Sequence, residues 1–81
     1  MKARVYVSLK TTVLDPQGQA VRAALAGLGH LAIADVRQGK FFDITIADGT
    51  SREQARKDVE TIAQEVLANP VIEEYRVEIA E

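Results

Sequence analysis

Few side chains in this 81-residue chain have the type and spacing that chemistry requires. The one histidine, His30, has neither a second histidine nor a carboxylate beside it, so it reads as a loop residue rather than a base or metal ligand. Asp15-Pro16-Gln17-Gly18 has the form of a helix entry, where free N–H groups and a small Gly18 would suit an anion. Asp15 already places a negative oxygen there, which favours a helix N-cap over a phosphate cradle. Arg37, Gly39 and Lys40 make a short basic segment, fitting either a solvated turn tip or contact with an acidic partner surface. Glu73-Glu74 and the Asp35 and Asp43 pair supply carboxylates, but nothing around them predicts the dry pocket that acid–base work needs. Gly27-Leu28-Gly29 is a fragment of a dinucleotide glycine pattern and lies at the wrong end of its helix. The absence of cysteine rules out thiolate nucleophiles, disulfides, iron–sulfur ligation and Cys-type zinc. No catalytic, cofactor-binding or metal-binding residue is therefore expected in this chain.

Composition narrows the class further. Ten Lys+Arg against twelve Asp+Glu leave a net charge of −2, which disfavours duplex DNA and anionic membranes, since both draw affinity from clustered cations. The apolar runs fall short of a membrane span, and Met1-Lys2-Ala3-Arg4 opens a strand pattern rather than a signal peptide, so a cytoplasmic protein is expected. The length sets one domain, residues 1–81. Folding at this size buries only roughly 60–65% of the unfolded surface, a thin margin that oligomerisation would widen.

The elements that must position any functional surface follow from periodicity. Over 3–9, Val5, Val7 and Leu9 alternate with Arg4, Tyr6 and Ser8, which predicts a half-buried strand. Asp15 and Pro16 start a helix carrying Ala20, Val21, Ala24, Leu25 and Leu28, with Gly29 as its left-handed stop. Strands are predicted over 32–36 and 41–47. Phe42, Ile44 and Ile46 face the core in the latter, and an odd turn at Arg37-Gln38-Gly39, with Gly39 left-handed, keeps even positions paired with even. Thr50 and Glu53 fit a capping box for a second helix with the stripe Ala55, Val59, Ile62, Ala63, Val66 and Leu67, and Asn69-Pro70 ends it. Glu53–Lys57 and Arg56–Glu60 add i,i+4 pairs on its wet side. A last strand over 72–79 turns Tyr75, Val77 and Ile79 inward. The order β-α-β-β-α-β predicts an α+β, ferredoxin-like fold: a four-stranded antiparallel sheet, order 4-1-3-2, with both helices on one face. Outward Lys2, Arg4 and Lys10 would then meet Glu74 and Glu78 across strands.

The open sheet face is the most informative surface. Tyr6, Ile33 and Phe41 fall there among mixed charges, a composition suited to self-association or another protein. The strand over 32–36 is also an unblocked edge, with neither Lys nor Pro between Leu31 and Val36. A single-stranded RNA-binding sheet is the first alternative, since Tyr6 and Phe41 loosely imitate its stacking aromatics. The flanking acids oppose it. An amino-acid-binding regulatory module is the second.

The chain resembles the PurS subunit family of phosphoribosylformylglycinamidine (FGAM) synthase along essentially its whole length. The carrying segments are Val5-Tyr6-Val7 with Leu9-Lys10, Val13-Leu14-Asp15-Pro16-Gln17-Gly18 with Ala20-Val21, Asp35-Val36-Arg37-Gln38-Gly39-Lys40, and Asn69-Pro70-Val71-Ile72-Glu73-Glu74-Tyr75. Each is weak alone; their order and spacing together are specific. The resemblance implies an accessory subunit of a glutamine-dependent, ATP-consuming C–N ligase of purine biosynthesis, with no catalytic residue of its own. It implies a glutaminase and a synthetase as partners, ATP and Mg bound in the synthetase, and a homodimer or dimer of dimers. Expected partner-contact residues are Asp15, Pro16, Gln17, Gly18, Arg37, Gly39 and Lys40; expected self-association residues are Tyr6, Ile33 and Phe41.

Overall fold

A computed structural model describes residues 1–80. The elements are β1 (Lys2–Leu9), α1 (Pro16–Gly27), β2 (Gly39–Thr45), α2 (Arg52–Ile62), a π-helical turn (Ala63–Leu67) and β3 (Glu73–Ala80). The sheet is antiparallel, with β1 between β2 and β3. Alternation decides its faces as the sequence predicts. Ala3, Val5 and Val7 are buried; Phe42, Ile44, Tyr75, Val77 and Ile79 flank them half-buried. Val59, Ala63 and Ala68 close this small core from above.

The predicted strand over 32–36 is absent, and the sheet has three strands among the described residues. The three that form keep the neighbours expected of them. The reason lies at Arg37 and Gln38, which were expected in a hairpin turn. The Arg37 guanidinium instead donates to the carbonyls of Lys10 and Val13 at 2.9 Å and of Leu9 at 3.5 Å, while the Gln38 N–H donates to Asp15 Oδ2 at 2.7 Å. These bonds hold 37–38 against the β1–α1 loop. Gly39 enters β2 directly opposite Ser8 and has no positive φ, so the left-handed turn expected of it does not form. The chain before it runs back along α1, not beside β2: a Cβ built on Gly18 would lie 2.1 Å from the Val36 carbonyl oxygen.

α1 starts and stops as predicted, with Asp15 accepting from the Gly18 N–H at 2.9 Å and Gly29 at φ +93°. It does not join the core. The main helical packing on the sheet comes from α2 and the π turn, and Gly18 is the one buried residue of α1. α2 is capped by Ser51, one residue later than the Thr50 expected, with its hydroxyl accepting from the Gln54 N–H at 3.1 Å. Ala55, Val59 and Ala63 of the expected stripe are buried, whereas Ile62 and Val66 are exposed. The π turn is the cause for Val66: the Ala68 N–H bonds the Ala63 carbonyl five residues back, so the backbone is underwound and Val66 swings outward.

α1 and the chain returning from it form an arm beyond one end of the sheet. The radius of gyration is 16.3 Å and the extents are 51 × 26 × 14 Å, against about 12 Å for a compact chain of this length.

Candidate functional site

Residues from distant parts of the sequence meet where the arm leaves the sheet. Asp15 is the centre of this clasp. Its carboxylate is buried, with one oxygen capping α1 and the other holding Gln38. The Gly18 N–H first, then that of Gln38, hold its carboxyl below the usual carboxylate range. Arg37 ties down the loop carbonyls from the other side. Both charges are therefore used internally, and Gly18 is sealed beneath Val36.

The other expected contact residues lie on the rim of the clasp. Pro16, Gln17, Gly39 and Lys40 are exposed and, with Ser8 and Glu73, line an open groove of about 330 Å³. Arg37 and Lys40 do not share a basic tip: Lys40 sits on β2 opposite Val7, with its ammonium 5.7 Å from the centre of the Phe42 ring. A second shallow depression, lined by Gln64, Pro70 and Tyr75 among others, shares Glu73 with the first. A third, beside Tyr6 and Arg76, shares Ser8 with the first. This end of the sheet is thus a continuous, irregular surface of mixed polarity rather than an enclosed cavity.

The outer sheet face is ordered by stacked cations. Tyr6 and Phe41 adjoin with ring centres 6.2 Å apart; Arg4 lies 4.3 Å from the centre of Phe41, and Arg76 lies 4.3 Å from that of Tyr6. Arg4 lies between Glu78 and Asp43 in the strand register, as expected for Glu78, and donates to Asp43 at 2.8 Å, a bond that holds its guanidinium more firmly charged. Glu78 accepts from Arg76 and, at 3.3 Å, from the Tyr6 hydroxyl. Guanidinium groups occupy the ring faces on which bases would stack, which weakens the RNA reading. Ile33, expected in the same patch, lies on the arm and not on this face.

The remaining candidates are dispersed. His30 is exposed in the turn after α1. Asp43 is paired with Arg4, Asp35 lies exposed on the arm, and Glu73 accepts from the Asn69 N–H at 2.7 Å. Among the described residues, no group of three His, Asp or Glu side chains is placed to hold a metal ion, and no helix is long and apolar enough to cross a membrane. The arrangement has the means to present surfaces; the described residues do not assemble a nucleophile, base and oxyanion donor around one point.

Comparison with known proteins fits this picture. The family model described as phosphoribosylformylglycinamidine (FGAM) synthase, PurS, matches residues 2–81. The PurS subunit of Bacillus subtilis is 44% identical over 84 residues, covering 99% of this chain and 93% of that subunit. A crystal form of B. subtilis PurS superposes with a TM-score of 0.86 at 45% identity, covering 99% of this chain and 98% of that one. A chain of the PurLQS structure from Thermotoga maritima gives a TM-score of 0.85 at 30% identity, covering 95% and 93%. With a family model matching residues 2–81 and 44% identity to a PurS subunit over 99% of its own length, this chain belongs to the PurS family of FGAM synthase subunits.

Proposed function

We propose that this chain is the small accessory subunit of an FGAM synthase, working in a complex of the PurLQS kind in purine biosynthesis. The observation that carries the reading is the match, at 30% identity and over 95% of this chain and 93% of the other, to a chain of the PurLQS structure. The chain works in the cytoplasm as a pair of copies, or a pair of such pairs. It bridges a glutaminase that releases ammonia and a synthetase that binds ATP and Mg and forms the amidine. Ammonia that escapes into water is diluted and protonated, so holding the two centres in register raises its effective concentration where it is consumed.

In this reading Pro16, Gln17, Gly39 and Lys40 meet a partner subunit along the groove, while Asp15, Gly18 and Arg37 hold that surface in shape. Tyr6 and Phe41 supply a further contact face.

Reconstitution tests it. Glutaminase and synthetase mixed without this chain retain ammonia-driven synthesis and lose glutamine-driven synthesis; adding the chain restores the latter. Equal glutamine-driven rates with and without it overturn the reading.

A further inference from the structure

Three charges at the clasp end of the sheet have no opposite charge beside them among the described residues. The Lys40 ammonium faces only the Phe42 ring, the Glu74 carboxylate has neither an ion pair nor a hydrogen bond, and Glu73 accepts only from the Asn69 N–H. Alternation puts Lys40 and Glu73 on the core side of the sheet, on the strands either side of β1 and about 10 Å apart across it. Between them Leu9 is half-buried, and no residue of α2 or the π turn lines the groove. This stretch of the core side is left open by its own chain.

Its walls are fixed in advance. Asp15, which also lines the groove, is 4% exposed with both carboxylate oxygens bonded, so its charge is already answered. Past Glu73 the groove runs into the second depression, lined also by Glu74, Tyr75 and Pro70. At about 330 and 340 Å³, the two hold a short run of side chains and not a folded surface.

We infer that this track seats an extended segment of a partner subunit, with an acidic side chain toward Lys40 and a basic one in the depression that Glu73 and Glu74 share. The inference rests on the reading of the chain as an accessory subunit and adds the chemistry by which the groove selects its partner. Charge complementarity sets the order of the two partner charges. Shape favours a different protein over a second copy: a two-fold contact here sets groove against groove and leaves both floors bare, whereas the middle of a specific interface packs as densely as a protein interior. A free amino acid carries its carboxylate and ammonium on one carbon, too close together to reach both strands.

Association with the glutaminase and the synthetase, followed at low salt, tests the inference. Lys40→Glu and Glu74→Lys, both at exposed positions, are each expected to slow association on the order of tenfold and to flatten its salt dependence, with an unchanged urea midpoint. Lys57→Glu, on the wet side of α2, makes the same change in net charge as Lys40→Glu and is expected to bind as the wild type does. The chain has no cysteine, so a photo-crosslinker on Gln17→Cys sits at one place in the groove. It is expected to capture a partner peptide with an acidic and a basic residue a few positions apart. Wild-type rates in both groove variants overturn the inference, as does an equal loss with Lys57→Glu or a captured peptide lacking either charge. Lost self-association with partner binding kept overturns it in favour of a second copy. Saturable binding of free glutamine that Lys40→Glu abolishes overturns it in favour of a small ligand. In all of these the wild-type chain still restores glutamine-driven synthesis, and the accessory-subunit reading stands. A wild-type chain that neither binds the two subunits nor restores that synthesis overturns both.

Discussion

The two helices of this chain are of similar length and opposite design. α2 carries six charged residues in eleven, all outside the buried line of Ala55, Val59 and Ala63. α1 carries one charge in twelve and buries only a glycine. A helix that completes its packing within its own chain must have a wet side, and α2 has one. α1 has none, and its own chain leaves it largely bare. Charge content, more than the apolar stripe, separates the two, because both have apolar residues at spacings of three and four.

Substitutions break or sharpen this contrast. The largest effect is expected from Val59→Asp, which puts an unpaired carboxylate under the sheet and removes about 3–5 kcal/mol from urea-unfolding stability; Val21→Asp, at an exposed position of α1, is expected to change it by about 0.5 kcal/mol or less. Gly18→Ala comes next. Its Cβ meets the Val36 carbonyl oxygen at 2.1 Å, so the arm must shift, with a loss of about 1–3 kcal/mol. Arg37→Ala removes the donor to the Lys10 and Val13 carbonyls and is expected to remove about 1 kcal/mol, with faster amide exchange in the loop over 10–14 but not in α2.

A smaller, pH-dependent difference follows from Asp15. Its folded pKa lies below the unfolded value because the Gly18 and Gln38 amides bond the carboxylate. The stability this contributes is therefore present above the ordinary carboxylate pKa of about 4 and lost as pH falls through the folded value. Acid titration should loosen the arm before α2, and Asp15→Asn should flatten that part of the profile. Smallest of all is Arg56→Ala. The exposed Arg56–Glu60 pair at 3.7 Å is worth about 0.3–0.5 kcal/mol, screened by salt.

Much of the fold was legible in the sequence. Alternation identified β1, β2 and β3 and the face of each, and Asp15-Pro16 with Gly29 bounded α1. The strand over 32–36 was not, because parity tells which way a side chain points and says nothing about whether a neighbour is there to pair with. What displaced it was a guanidinium bonded to backbone carbonyls, an arrangement without a sequence signature. The site was half legible. Asp15, Gly18 and Arg37 were expected at a partner contact, and they are bonded or sealed within the chain. The exposure of α1 did have a signal, the uncharged run from Ala23 to Ala34, which an emphasis on apolar spacing passes over.

The wide turn at Ala63–Leu67 acts as a one-residue insertion that the helix absorbs without a break. Shortening it by a single position, for example by deleting Gln64, would restore ordinary pitch, bring Ala68 one α-turn after Ala63 on the buried line and leave Val66 facing outward. A homologue that loses this one position would thus keep the same buried line, with a helix of plain pitch in place of the wide turn.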